Sequence, residues 1–215
     1  MRKKKWFLFG RLSINLIVNS PCSISNLRHS QGRGDRLKRS LLDSLQKGGL
    51  IFYVRHGEAS VGRDQLNLNF QNCSTQRNLS ERGRRQAMYY GEILRYLRIP
   101  IRFPISASPF CRTIETAQLA FGRANVEFES FWVEVYRLSG NLPGRERRRI
   151  LHHLQSVLET KPVTGRNKVI IAHSFPQGVA LGQIPDMGTV IVRPKGEGNG
   201  YKIVSLLSLE DLSNL

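Results

Sequence analysis

Three short segments of the sequence carry residues that could bind and attack a phosphate group. Arg55 and His56 come directly after a short apolar run that predicts a buried β-strand. Arg112 lies at the start of a predicted helix that follows a second strand, and His173 directly follows a third apolar run. Because ligands of open α/β sheets bind at the carboxyl ends of the strands, we expect these side chains to face one crevice.

Two arginines and two histidines are suited to a dianionic phosphate. A neutral imidazole can attack phosphorus in line, and the other groups spread the charge of the transition state. Gly57, directly after the Arg-His pair, permits a tight turn and a close approach of the ligand to the backbone. Each segment alone has an ordinary alternative: a basic surface pair, a solvated arginine at a helix start, or a structural histidine. The prediction depends on their convergence.

The sequence offers little for a metal or a nucleotide. It has no convincing carboxylate-rich cluster and no G-x-x-x-x-G-K-[ST] loop. Its three cysteines, Cys22, Cys73 and Cys111, form no C-x-x-C pair of the kind found in zinc or redox sites. We therefore predict chemistry that uses no metal and no cofactor.

The elements that must position these residues alternate between strand and helix. Ser80 is a good N-cap for the first long helix, and Pro143 is suited to a helix start. Strands are predicted at 50–54, 103–106, 126–128, 168–172, 189–192 and 201–206, and helices at 80–98, 112–120 and from 143 onward. This order predicts an α/β three-layer sandwich, with a mostly parallel central sheet flanked by helices.

The first 49 residues differ from the rest of the chain. The formal net charge is +17, and residues 1–50 hold eleven Lys/Arg against two Asp/Glu. A cationic start followed by the apolar run 6–18 resembles a secretory signal or a weak anchor, whereas a disordered basic leader is the alternative. We predict a linker at 25–39 and a short helix at 40–47. The catalytic domain is expected to cover residues 50–215.

The motifs taken together resemble the histidine phosphatase superfamily, in its phosphoglycerate mutase-like branch. The resemblance covers residue 50 to the C-terminus. The matching residues are Arg55-His56-Gly57-Glu58, Leu79-Ser80 with Gly83 and Gln86-Ala87, Ser108-Pro109 with Arg112-Thr113 and Thr116-Ala117, and His173. The resemblance implies that His56 is the phosphorylated residue and that Arg55, Arg112 and His173 hold the phosphate. The segment 72–80 is also similar to a subgroup of bacterial members that are often exported.

Other residues are expected around this site. Gly57, Ser108 and Arg77 are candidates for substrate binding or support, and Glu58 is expected to orient the Arg-His pair. His173 is followed by Ser174 rather than by an acid, so the proton donor should lie elsewhere. The resemblance places it after the Arg-bearing helix, where three glutamates occur: Glu127, Glu129 and Glu134.

We choose Glu134 as the proton donor, because apolar neighbours in the sequence would keep a carboxyl group protonated. Glu58 and the absence of any carboxylic acid are the alternatives. Cys73 and Cys111 are expected to be neighbours and to form a disulfide if the protein is exported, or else to be two buried thiols. An extracytoplasmic location is favoured, with a cytoplasmic one as the alternative.

The predicted activity is metal-independent phosphomonoester hydrolysis, through a phosphohistidine, on a phosphorylated small molecule or a surface phosphate group. The alternatives are mutase-type phosphoryl transfer, a catalytically silent phospholigand-binding module, and a polyanion-binding protein. The last would use arginines at 82–85 and 145–149, which could equally be solvated helix faces. No nucleic-acid-binding signature is present, and weak attraction of the basic N-terminus to a membrane surface is expected.

Overall fold

A six-stranded sheet with helices on both faces forms the frame of the domain. The structure is a computed structural model that describes residues 22–215, with side chains from residue 34 onward. The strands are β1 (Ile51–Arg55), β2 (Ile105–Ala107), β3 (Val126–Phe128), β4 (Lys168–Ala172), β5 (Thr189–Pro194) and β6 (Tyr201–Leu207). The helices are α1 (Cys22–Lys47), α2 (Glu81–Tyr96), α3 (Cys111–Phe121), α4 (Phe131–Arg137), α5 (Gly144–Glu159) and α6 (Leu209–Ser213).

The strand order is β3-β2-β4-β1-β5-β6. The pairs from β3 to β1 are parallel, whereas β5 and β6 join in antiparallel pairs. Parallel neighbours need crossover helices, and the chain supplies them between β1, β2, β3 and β4. The prediction of an α/β sandwich around a mostly parallel sheet is confirmed.

Alternation along the strands divides the core into two clusters. In β1, Phe52 and Val54 pack on the face that carries α2 and α3, and Ile51 and Tyr53 pack on the face that carries α4 and α5. All four side chains are fully buried. A strand covered on both faces must be apolar throughout, which is why the continuous apolar runs predicted these strands.

The compact unit begins earlier than predicted, at Lys38 rather than at residue 50. Leu45 is fully buried in the α2 face of the core, and its carbonyl accepts a hydrogen bond from the Asn167 side chain at 2.7 Å. The domain boundary at 49/50 is therefore corrected to Lys38. The linker predicted at 25–39 is also wrong, since the structure has a continuous helix from Cys22 to Lys47.

Two helices were not predicted. The α4 segment is mostly apolar or aromatic, and its periodicity did not distinguish a helix from a strand. In the structure Trp132 and Val135 are its buried residues. The short α6 begins with a capping box in which the Ser208 and Asp211 side chains satisfy each other's backbone N–H groups. None of the helices in the described part of the chain is long and apolar enough to cross a membrane.

Candidate active site

The carboxyl ends of β1, β2 and β4 bring the predicted site residues together. The His56 backbone N–H donates to Ala172 O at 3.1 Å, and the Ser108 N–H donates to Ile171 O at 3.0 Å. The rings of His56 and His173 lie 5.5 Å apart between centroids. Three segments separated in sequence therefore meet at one edge of the sheet, as expected from the parallel topology.

His56 has one ring nitrogen committed to the backbone. Its Nδ1 lies 2.7 Å from Gly57 O, and because a carbonyl oxygen only accepts, Nδ1 carries the proton. The lone pair is then on Nε2. Burial of the ring, followed by the positive charge of Arg112, lowers the pKa of His56 to about 3, against a smaller opposing effect of the Gly57 hydrogen bond. The imidazole is thus neutral at physiological pH.

His173 is buried beside His56. Its Nε2 lies 3.1 Å from the Ser108 Oγ, and its Nδ1 is buried with no hydrogen-bond partner among the described residues. Burial, followed by the charge of His56, holds the pKa of His173 well below its usual value. Phe110 and Tyr136 contact the ring, with centroids 4.7 and 4.9 Å away. A buried unpaired ring nitrogen is costly unless a ligand satisfies it.

The two arginines differ in exposure and in partners. Arg55 is partly exposed, and it donates to Ile184 O at 2.9 Å and pairs with Asp186 at 3.0 Å. Arg112 is only 2% exposed, and it pairs with Asp64 through both terminal nitrogens, at 2.9 and 3.2 Å. The Arg112 Nε is buried without a partner in the described part of the chain.

Asp64 and Tyr136 are site residues that the sequence did not reveal. The Tyr136 hydroxyl donates to Asp64 Oδ2 at 2.9 Å. Burial raises the pKa of Asp64, but the hydrogen bond from the Arg77 backbone and the charge of Arg112 outweigh that effect, so its pKa is lowered overall. Asp64 sits in an irregular loop and Tyr136 in an apolar helix, and neither position belongs to a pattern that signals a site.

The loop that carries Asp64 is attached to α3 by a disulfide between Cys73 and Cys111, with the Cα atoms 5.8 Å apart. The Gln76 side chain also accepts a hydrogen bond from the Cys111 N–H at 2.9 Å. Arg77 lies close by, and its N–H donates to Asp64 Oδ1 at 2.8 Å. The candidate disulfide and the candidate support residue Arg77 are thus both placed beside Arg112.

The loop after β1 packs tightly on the start of α2. A Cβ on Gly83 would lie 2.0 Å from Glu58 O, and one on Gly57 would lie 2.6 Å from Gly83 O, so neither position accepts a side chain without movement. The Ser80 hydroxyl caps α2 by accepting from the Gly83 N–H. It also donates to Glu58 Oε1 at 2.7 Å, while Glu58 Oε2 pairs with Arg82. Glu58 therefore anchors α2, and the prediction that it orients the Arg-His pair is wrong.

The choice of Glu134 as proton donor is also wrong. Its carboxylate pairs with Arg149 of α5 at 2.9 Å and is partly exposed to solvent. Consecutive helical residues are rotated by about 100°, so Glu134 and Tyr136 point in nearly opposite directions, and Tyr136 is the one that contacts His173. The apolar neighbours in the sequence pack elsewhere. Glu129 accepts a hydrogen bond from Ser106 at 2.8 Å, and Glu127 is exposed on β3.

Residues 51–137, which include Arg55, His56 and Arg112, match the family model of the histidine phosphatase superfamily (branch 1). This match confirms the predicted family for the segment that runs from β1 through α4, and with it the predicted enzyme class, a phosphatase. The second histidine of the site, His173, lies beyond the matched segment, and its position directly after β4 places it beside His56.

One solved phosphatase structure shares this fold at a TM-score above 0.5. The protein histidine phosphatase SixA complexed with tungstate has a TM-score of 0.51 and 16% identity, covering 76% of this chain and 99% of that chain. A mutant phosphoserine phosphatase from Entamoeba histolytica in complex with phosphoserine has a TM-score of 0.49 and 16% identity, covering 76% and 98%. The comparison with curated protein sequences finds no match.

Proposed function

We propose that this histidine phosphatase is a metal-independent phosphomonoesterase that acts through a phosphohistidine on His56. The observation that carries the proposal is the state of His56. Its Nδ1 donates to the Gly57 carbonyl, its Nε2 has no hydrogen-bond partner among the described residues, and its pKa of about 3 keeps the ring neutral. A neutral, oriented imidazole is what in-line attack on phosphorus requires.

The two buried unpaired nitrogens of the site fit the charge that develops on the phosphoryl group. Arg112 Nε carries a proton at any physiological pH and donates to a phosphoryl oxygen. His173 Nδ1 donates as well when its Nε2 accepts from the Ser108 hydroxyl. In the first step a P–Nε2 bond forms on His56 while the bond to the leaving oxygen breaks and that oxygen departs as an anion. In the second step water attacks phosphorus, the P–Nε2 bond breaks, and the protons of the water leave with the phosphate product.

The availability of an acid to protonate the leaving oxygen determines which substrates react fastest. The lowered pKa of Asp64 keeps that carboxylate ionised at neutral pH, so it cannot act as the acid in this arrangement. Glu58 and Glu134 are engaged in ion pairs directed to helices α2 and α5. We therefore expect a preference for esters whose leaving group departs as a stable anion, such as aryl phosphates.

A cavity of about 580 Å³ beside Arg55 is the candidate site for the leaving group. It is lined by Arg55, Ser174, Phe175, Gln183, Ile184 and Pro185. Arg55 is the only cationic side chain in this lining, and it is already paired with Asp186. A mutase would need additional cations there to retain a substrate with a second anionic group, so we favour hydrolysis over phosphoryl transfer.

The polyanion-binding alternative loses support on α2, where all three arginines of the run pair with glutamates. On α2, Arg84 pairs with Glu115 at 2.7 Å and Arg85 pairs with Glu81 at 3.3 Å. On α5, Arg149 pairs with a glutamate of the neighbouring helix. These runs therefore contribute intramolecular contacts as well as positive charge.

The test is hydrolysis of an aryl phosphate in the presence of a metal chelator. Wild-type enzyme and the control His152→Ala, which changes an exposed histidine of α5, should show equal kcat. His56→Ala should lose at least 1,000-fold, in line with the loss of an essential nucleophile. Full activity in His56→Ala, or loss of wild-type activity with chelator, would refute the proposal.

A further inference from the structure

The Arg112 guanidinium has two edges that can hold an oxyanion, and the protein itself uses one of them. Asp64 accepts from Nη1 and Nη2, at 2.9 and 3.2 Å, so the end-on edge is filled by a carboxylate. The remaining edge contains Nε, which is buried and has no partner among the described residues. A guanidinium held at one edge by a carboxylate can bind a second anion only along the other.

We infer that Asp64 is a positioning residue for phosphoryl transfer. It holds Arg112 by the end-on edge, so that the Nε–H is presented to the phosphoryl group on His56. This inference rests on the proposed function, because it assigns Arg112 to the transferring group. Asp64 itself does not contact the substrate in this arrangement.

Asp64 is in turn held from several directions. Its Oδ1 accepts from the Arg77 backbone N–H at 2.8 Å, and its Oδ2 accepts from the Tyr136 hydroxyl at 2.9 Å. The side chain is only 9% exposed. The disulfide from Cys73 to the first residue of α3 attaches the same loop beside Arg112. The carboxylate therefore has little freedom to leave the guanidinium.

Aromatic contacts hold the plane of the Arg112 guanidinium, and the Asp64 carboxylate limits its rotation within that plane. The Arg112 Cζ lies 4.3 Å from the centroid of Phe110 and 5.5 Å from that of Tyr136. Both rings also contact His173. A single rigid group thus joins Asp64, Arg112 and His173, and a donor positioned in advance is worth more in the transition state than one that must reorganise.

A second explanation makes the opposite prediction. If Asp64 occupied the phosphate's own position, it would be an internal competitor, and its removal would increase activity. The Nε argues against this, because no described residue accepts a hydrogen bond from it and that donor edge of Arg112 remains open to a phosphate. Kinetics of Asp64 variants distinguish the two explanations.

The test is Asp64→Asn, which keeps the size of the side chain and replaces one acceptor oxygen by a donor NH2 group facing the guanidinium. We expect kcat on an aryl phosphate to fall 10- to 100-fold, with KM changed less than about threefold, because the loss falls on the transition state. Asp64→Glu should recover part of kcat. The matched control is Asp211→Asn, a carboxylate in the cap of α6, which should leave kcat unchanged.

Vanadate binding, measured by calorimetry, tests the inference without turnover. Its five-coordinate form has the geometry of the transferring group, and Asp64→Asn should weaken it at least tenfold. Weaker vanadate binding in an enzyme that hydrolyses no phosphoester would refute the proposed function, but it would still show that Asp64 positions Arg112 for an oxyanion. Unchanged or increased kcat, or tighter vanadate binding, would overturn the role of Asp64.

If Asp64→Asn fails to fold, Tyr136→Phe replaces it as the test. This change removes only the hydroxyl that donates to Asp64 Oδ2 and keeps the ring against Phe110 and His173. We expect a three- to tenfold loss of kcat with KM unchanged, and vanadate binding that is weaker by a similar factor. Wild-type kcat and vanadate affinity in Tyr136→Phe would overturn the inference.

Discussion

The buried neutral state of His56 should make the domain sensitive to acid. Its pKa is lowered from 6.5 to about 3 in the folded protein, mainly by burial, whereas in the unfolded chain the ring titrates normally. The unfolded state therefore binds the proton more tightly. The contribution of His56 to stability is complete above pH 6.5 and is lost as the pH falls toward 3.

The magnitude follows from the two pKa values. Between pH 7 and pH 4, the unfolded ring becomes protonated and the folded ring does not, which costs the folded state about 3 kcal/mol. The lowered pKa of His173 acts in the same direction, as does the lowered pKa of Asp64, whose stabilisation is lost as the pH falls through its folded value.

The assay compares urea unfolding of wild type and His56→Ala at pH 7 and pH 4. The free energy of unfolding of wild type should fall by about 3 kcal/mol more than that of His56→Ala over this interval. Groups that titrate in both proteins largely cancel in this difference. Equal losses in the two proteins would show that His56 titrates normally, and the argument for a neutral, buried nucleophile would then fail.

Three further predictions test the frame around the site. Reducing the disulfide, which closes a loop of 38 residues, should lower the free energy of unfolding by about 4 kcal/mol in urea titrations, and no change would mean that the bond does not form. Gly83→Ala should cost about 2–4 kcal/mol by the same measurement, since its Cβ would meet Glu58 O, and wild-type stability would contradict the close packing there. Glu134→Gln should change kcat less than twofold on both aryl and alkyl phosphates, because only a partly exposed ion pair with Arg149 is lost, and a selective loss on alkyl phosphates would restore it as the acid.

The sequence predicts the frame of this protein well because the central strands of its sheet are buried on both faces. Continuous apolar runs marked β1 and β4, and the residues directly after them, His56 and His173, meet at the site. Parallel strand ends are a property of topology, so their convergence could be predicted without side-chain geometry.

The rest of the site depends on contacts between distant segments. Arg112 and Asp64 are 48 residues apart, and Tyr136 lies 72 residues from Asp64. Neither pairing follows from local periodicity. The prediction for Glu134 failed for a different reason. Its neighbours in sequence are apolar, but on a helix they point to other sides, and Glu134 itself pairs with Arg149.

The start of the domain also depends on contacts that the sequence does not reveal. Glycines in the segment before residue 40 favoured a linker, but the helix continues through this segment to Lys47. Leu45, seven residues into the compact unit, is fully buried against the sheet, and it fixes the end of α1. The start of the compact unit at Lys38 therefore depends on a tertiary contact that local sequence does not reveal.

The most direct test of the account is trapping the phosphoryl enzyme. Wild-type protein would be mixed with an aryl phosphate, quenched in alkali within milliseconds, and digested for mass spectrometry, with His152→Ala as the positive control and His56→Ala as the negative control. We predict a phosphoryl group on His56 in wild type and in the control, labile to acid and absent from His56→Ala. Rapid turnover with no phosphohistidine, or a phosphoryl group on any other residue, would contradict covalent catalysis by His56.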